Sequence, residues 1–382
     1  MRVTRVMTTR TAPLIALALA TSTLAACGSP GPVEEPPLSQ EALAAVTADP
    51  GAPTRPLARA ADDLFTLDGL GETRALIVYH GGKPAVERYA PGYDETTRFV
   101  SWSMAKTVTA LMIGMLVADG QLRLDAPAPV PRWQRTGDPR AEITLRHLLQ
   151  MRAGLEHTEA GDPPYESGEV RMLFLDGRDD MADYATAQPL EAEPGERFEY
   201  SSNTTVILAD IAARALTDSK DPDERREAVA DYLEARLFAP LGMTSAVPEF
   251  DRAGTLIGGS LIHATARDWA KLGELLRNKG SYRGEQLVPR QWVDEMIEPS
   301  PKSPHYGLQT WLNRPLPEGE EHPLFPDRAP HSAFSLIGHM GQYVFVSPTQ
   351  KLTVVRLGHS NREERIAMLR QLADVIELYP ET

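Results

Sequence analysis

Two β-hairpin signals stand at opposite ends of the chain, and they constrain the fold more than any other feature. Leu76-Ile77-Val78-Tyr79 and Ala85-Val86-Glu87-Arg88-Tyr89 flank His80-Gly81-Gly82-Lys83. Short β-branched and aromatic runs around glycines read as strand, turn, strand. Tyr343 to Val346 and Leu352 to Leu357 flank Ser347-Pro348-Thr349-Gln350 in the same way. Asn361 then opens a helix with Glu364 at the capping-box position. Ile366, Leu369, Leu372 and Ile376 give that helix one apolar face. The middle of the chain has helical spacing over Thr144 to Met151, Thr204 to Leu216, Asp223 to Leu237 and Thr265 to Leu276. Strands at both ends with helices between predict an α/β fold. Its antiparallel sheet is formed by both termini and flanked by helices, and a mainly helical lobe over about 120–255 is inserted. A pocket belongs at the junction of the two parts.

The front of the chain reads as targeting rather than fold. Arg2, Arg5 and Arg10 precede an apolar run from Leu14 to Ala20 that is too short to span a bilayer. Leu24-Ala25-Ala26-Cys27 follows and resembles the lipobox of bacterial lipoproteins. Residues 1–26 are then a signal peptide, and Cys27, the sole cysteine, is a lipid attachment point. A cleaved secretory signal with an incidental cysteine is the alternative. One cysteine excludes an internal disulfide and an all-cysteine metal site. Cleavage would remove three arginines and no acid, taking the net charge from −14 to −17. So acidic a body argues against nucleic acid and against a polybasic membrane contact, leaving the lipid anchor as the membrane link. Residues 27–60 are rich in proline and poor in apolar residues and are expected to form a flexible tether. The folded domain is expected over 61–382.

Ser103-Met104-Ala105-Lys106 opens an apolar segment with Val108, Leu111, Met112 and Met115 at helical spacing, closed by Asp119-Gly120. Residues three apart share a helix face. Lys106 is thereby within reach of the Ser103 hydroxyl and can take its proton, which serine needs to act as a nucleophile. A capped helix with a solvated lysine is the bland alternative.

Several segments together extend this reading. They are Phe99 to Thr107 around the serine, Asp119 to Asp125, Ile143 to Leu149 ending in Ala153-Gly154-Leu155, and Pro194 to Asn203. Gly258-Gly259-Ser260-Leu261 and Gly338-His339-Met340-Gly341-Gln342 complete the set. In this order the chain resembles the serine β-lactamase/penicillin-binding superfamily. It is most similar to the class C-like branch, which holds class C β-lactamases, esterases and nylon-oligomer hydrolases. The resemblance covers about 61–382 and implies Ser103 as acylated nucleophile, Lys106 as its proton partner and Tyr200 as the second-motif tyrosine. Beside Lys106 the Tyr200 phenolate is expected to be stabilised, since a nearby cation favours the charged form, and to serve as general base for acylation and then as acid toward the leaving group. Asn203 is either a substrate contact or the helix N-cap before Thr204. His339-Met340-Gly341 replaces the usual Lys-Thr-Gly. It implies a close backbone approach at Gly341 and an oxyanion hole from the N–H groups of Gln342 and Ser103. Neutral His339 weakens the fixed charge that a substrate carboxylate would meet.

No Gly-x-Ser-x-Gly elbow, paired-histidine zinc spacing or phosphate-binding glycine loop occurs, so no cofactor and no metal are expected. His147 reads as a core histidine. The expected function is a lipid-anchored extracytoplasmic serine hydrolase acting on a small ester, amide or peptide-like substrate. A β-lactamase or D-alanyl-D-alanine carboxypeptidase, and a non-catalytic lipoprotein that binds cell-wall fragments, are the alternatives.

Overall fold

The computed structural model describes residues 37–316 and 323–382. The signal peptide, Cys27 and the first part of the expected tether lie outside the described residues. The strands are β1 (Glu72–His80), β2 (Lys83–Tyr89), β3 (Arg98–Val100), β4 (Val247–Pro248), β5 (Ile262–Thr265), β6 (Ser281–Tyr282), β7 (Glu285–Gln286), β8 (Trp311–Leu312), β9 (Phe334–Gly338), β10 (Gln342–Ser347) and β11 (Leu352–His359). The helices are α1 (Gln40–Ala44), α2 (Thr54–Thr66), α3 (Ala105–Ala118), α4 (Leu145–Leu149), α5 (Gly168–Phe174), α6 (Met181–Ala187), α7 (Ser202–Leu216), α8 (Pro222–Leu233), α9 (Ala239–Leu241), α10 (Ala266–Arg277), α11 (Arg290–Met296) and α12 (Arg362–Glu377).

Both predicted hairpins form, and they meet. The main sheet has the order β2-β1-β11-β10-β9-β8. β1 pairs antiparallel with β11 from Glu72↔His359 to His80↔Leu352, so the two ends of the domain share the centre of one sheet. A strand exposes alternate side chains to opposite faces. Leu76, Val78, Phe345 and Val354 pack on one face with Leu57 and Leu64 of α2 and Leu372 of α12. Ile77, Val344, Val346 and Val355 pack on the other with Leu272 and Leu275 of α10. A sheet covered on both faces needs apolar residues at nearly every position, which is why these strands do not alternate with polar residues.

Two expectations need correction. The tether does not run to residue 60, because α1 and the first half of α2 fall before that position and α2 packs on the sheet. Ser39 caps α1 by accepting from Ala42 N at 3.0 Å. Leu57 and Leu64 are buried, each worth roughly 1.5–3 kcal/mol on transfer from water. That gain outweighs the proline-rich composition. Helices α4 to α9 do fall within 120–255. They belong with the sheet to one compact body, Leu38–Thr382. In α12 the capping box of Asn361 and Glu364 is present, but Ile366 stays 43% exposed and does not join the apolar face.

α3 is buried on every side from Ala105 to Leu116, so it runs through the core rather than over it. It is fed by β3, which pairs with β5 in a second sheet of order β3-β5-β4. Ser101 fixes the junction: its Oγ accepts from Ile262 N at 3.1 Å. Trp102 follows at φ 46, a left-handed conformation costly for a bulky residue. The chain then makes a 3-10 turn over Trp102–Met104 before α3 begins, and this turn carries Ser103.

Candidate active site

Lys106 Nζ lies 3.0 Å from Ser103 Oγ. It also donates to Ser202 Oγ at 2.8 Å and to Gly259 O at 2.8 Å. An ammonium has three N–H donors, so all three are committed when Lys106 is charged. Ser103 is then an acceptor. Only a neutral amine frees a lone pair for the Ser103 proton. The Lys106 side chain is 1% exposed, and this burial, the largest influence, holds its pKa below the usual lysine value. Glu159 and Glu169 pull in the opposite direction.

Tyr200 stands on the other side of the nucleophile. Its hydroxyl stands beside Ser103, and its ring centroid is 4.9 Å from Lys106 Nζ. Trp311 and Tyr306 hold the ring at centroid distances of 5.2 and 5.8 Å. The stabilised phenolate expected from the sequence is not found. Burial first, and then the Glu159 charge, push the Tyr200 pKa well above its ordinary value. Tyr200 therefore rests as a neutral phenol. Proximity to Lys106 does not decide the matter because the carboxylates are there too.

Those carboxylates are the part of the site that the sequence analysis missed. Glu159 Oε2 accepts from Ser202 N at 2.7 Å and lies 2.6 Å from His157 Nε2. Its Oε1 accepts from Ser202 Oγ at 2.6 Å and sits 3.8 Å from Lys106 Nζ. Burial alone would raise the Glu159 pKa, but Lys106, His157 and Ser202 outweigh it and hold the carboxyl below its usual range. Glu169, in the first turn of α5, has Oε1 at 3.1 Å from the same Ser202 Oγ. Its pKa is pushed up to about 7, by burial first and then by Glu159. Ser202 was also passed over. It occupies the place where a Tyr-x-Asn motif has asparagine, and here its hydroxyl joins Lys106 to the carboxylates. The signal that could have found these residues is the polar content of 157–169 just after the Ala153-Gly154-Leu155 segment.

Three expected contacts lie elsewhere. Asn203 neither caps α7 nor lines the cleft: Ser201 is the cap, accepting from Thr204 N at 3.2 Å. With the helix starting at Ser202, Asn203 turns inward and is 3% exposed. Gly341 approaches Arg356, whose Nη1 donates to Gly341 O at 2.8 Å, and not the cleft. Gln342 begins β10 and pairs with Gly338, while its side-chain amide donates to the carbonyls of His339, Met340 and Gly358. Met340 at φ 58 and Gly341 at φ 83 mark the turn into β10, and the cleft lining includes Ile337 to Met340 but no residue of β10. Gly338 makes the close approach: a Cβ there would lie 2.3 Å from Ser101 O. His339 does reach the cleft and meets Trp102 edge-on at 5.4 Å. Desolvation first, with His359 and Arg365 nearby, lowers its pKa, so it is neutral at pH 7. His147 is not a core histidine but a capping residue, its Nδ1 accepting from Thr144 N at 3.4 Å.

Ser103, Tyr200, Glu159, Glu169 and His339 all open on one cleft of about 590 Å³. Among the described residues no cluster of His, Cys, Asp or Glu could hold a metal ion.

The beta-lactamase family profile matches residues 72–377, most of the chain. The chain belongs to the beta-lactamase family. Its fold agrees. A penicillin-binding protein homolog from Caulobacter crescentus superposes with a TM-score of 0.59 at 17% identity, covering 87% of this chain and 97% of the other. EstCE1, described as a hydrolase with promiscuous acyltransferase activity, superposes with a TM-score of 0.60 at 18% identity, covering 85% of this chain and 99% of the other. Among curated relatives, the 6-aminohexanoate-dimer hydrolase of Paenarthrobacter ureafaciens is 26% identical over 65% of this chain and 64% of its own length. Esterase EstB of Burkholderia gladioli is 31% identical over 41% of each chain. The aligned stretches thus span less than two thirds of either relative.

Proposed function

We propose that this member of the beta-lactamase family is a serine hydrolase that cleaves a small ester or amide through an acyl-enzyme on Ser103. The observation that carries the reading is the 3.0 Å contact between Ser103 Oγ and Lys106 Nζ, in an open cleft that Tyr200 also lines. Lys106 in its neutral form takes the Ser103 proton as Oγ attacks the carbonyl. Tyr200, a neutral phenol, is fit to hand a proton to the leaving group. The N–H of Ser103 and one from the Ile337–Met340 segment are the candidate oxyanion donors, each worth about 3 kcal/mol. Water then attacks the acyl-enzyme and releases the acid. Val170, Leu173, Phe174 and Ile337 in the cleft wall favour an apolar part in the substrate. The curated relatives, a dimer hydrolase and an esterase, support the same class.

The test is a substrate panel on the form lacking residues 1–27: short-chain aryl esters, a linear amide and a chromogenic cephalosporin. Ester or amide turnover well above cephalosporin turnover is expected, because His339 replaces the lysine of the usual Lys-Thr-Gly and Val170, Leu173, Phe174 and Ile337 give the cleft an apolar wall. Preference for the cephalosporin would overturn the reading in favour of a β-lactamase.

Export and anchoring belong to the same proposal. The lipobox-like Leu24-Ala25-Ala26-Cys27 supports an extracytoplasmic enzyme held by acyl chains on Cys27. Among the described residues no helix is long and apolar enough to cross a membrane. In a bacterial host, Cys27→Ser should abolish incorporation of labelled palmitate and move the protein to the soluble fraction. Unchanged membrane association would exclude the anchor.

A further inference from the structure

The hydrogens around Ser202 do not balance unless one carboxyl brings its own. Ser202 Oγ has three partners within 3.1 Å: Lys106 Nζ, Glu159 Oε1 and Glu169 Oε1. Lys106 donates to it, whether charged or neutral with its lone pair turned to Ser103. The hydroxyl has a single proton to give, and two carboxyl oxygens stand ready to accept it. Glu159 has the stronger claim, at 2.6 Å against 3.1 Å. Glu159 is also the carboxylate that already takes the Ser202 N–H, touches His157 and pairs with Lys106. The remaining contact, Glu169 to Ser202, is a hydrogen bond only if Glu169 is the donor. Two carboxylates on one hydroxyl would otherwise repel.

We infer that Glu169 is a proton-holding positioning residue: as a neutral acid it donates to Ser202 Oγ, and once ionised it locks Lys106 in its charged form. The inference rests on the reading of Lys106 as proton acceptor for Ser103. The charged and titratable groups facing Glu169 are Lys106 from α3, Glu159 and His157 from the segment before α5, and Tyr200 just ahead of α7. Arg365 and His339 complete the charged and titratable wall of the cleft. With Glu169 neutral, Lys106 sees one carboxylate. With Glu169 ionised it sees two, and its ammonium is favoured. The proton leaves to water through the open cleft, the Lys106 proton stays on Nζ, and Ser103 keeps its own. Alkaline conditions therefore oppose the activation that they would otherwise promote. The neutral-range pKa of Glu169 puts this change at about pH 7.

Glu169→Gln separates the two parts of the inference. The amide cannot ionise, yet it keeps an N–H donor for Ser202. The first readout is Tm across pH 5 to 8, which needs no activity. An acid with a raised folded pKa stabilises the fold at low pH and loses that contribution as pH climbs from its unfolded value of 4.5 to about 7. Wild type should lose this contribution and the variant should not. The Tm gap, variant minus wild type, should widen by on the order of 3 °C between pH 5 and pH 8. The second readout is the rate constant for fluorophosphonate labelling at pH 8.5 divided by that at pH 6. One pK unit of lost interaction is a tenfold change in neutral Lys106, so the ratio should rise about tenfold in the variant. A constant Tm gap would overturn the neutral acid. A widening gap with an unchanged labelling ratio would overturn the lock on Lys106. If wild type never labels, the hydrolase reading fails by itself and the Tm series still decides the protonation of Glu169.

Discussion

Ser103→Ala should label with no fluorophosphonate at all, where wild type takes up a single adduct by intact mass. Ester turnover should fall by on the order of 10⁴-fold or more, the usual consequence of deleting a nucleophile whose partners act only through it. The fold should survive, because Ser103 sits on a short turn beside open cleft and its removal leaves no cavity in the core. Tyr200→Phe tests the neighbouring hydroxyl in the same assay. It should still take the adduct, but about 10²–10⁴ times more slowly, the range for a lost proton-transfer group. An adduct on Ser103→Ala would place the nucleophile elsewhere. No adduct on folded wild type would move the protein to the non-catalytic, ligand-binding reading.

Lys106→Met and Lys106→Arg together should show that Lys106 is needed as a base rather than as a charge. Both are expected to lose about 10³-fold in labelling rate. Arginine keeps the positive charge but has no accessible neutral form, so it cannot take the Ser103 proton. A Lys106→Arg enzyme with near wild-type rates would sink the proton-acceptor role. Lys106→Met carries a second consequence. It leaves Glu159 without the cation 3.8 Å away and leaves Gly259 O without its donor. Stripping one partner from a buried pair costs about 3–5 kcal/mol, although the burial cost of Lys106 itself offsets part of this. Circular dichroism on each variant keeps lost folding apart from lost chemistry.

The features legible in the sequence share one property: short-range patterning carries them. The hairpins of β1 with β2 and β10 with β11 are runs of β-branched and aromatic residues around turn residues. The cap on α12 lies within four residues, Asn361 to Glu364. Ser103 and Lys106 are three apart, so the turn that carries one delivers the other. Reading failed where a local preference met an opposing tertiary one. The proline-rich composition of residues 27–60 argued for a tether, yet the apolar side of α2 found the sheet. Asparagine is a favoured cap, but Ser201 took the position and Asn203 went inside. The glycine of His339-Met340-Gly341 promised close approach to substrate, but the turn set that glycine against Arg356.

What this sequence determined by itself is where the two terminal hairpins, the cap of α12 and the nucleophile with its lysine lie, because each depends on residues a few positions apart. The tertiary structure alone decided the electrostatics around them. Ser202 reaches Lys106 across 96 positions and Glu159 across 43, and Lys106 reaches Gly259 across 153. The neutral phenol of Tyr200 and the neutral-range acid of Glu169 follow from burial and from charges that those contacts bring together. Desolvation and Coulomb interaction act through space and not along the chain, so no spacing rule encodes them.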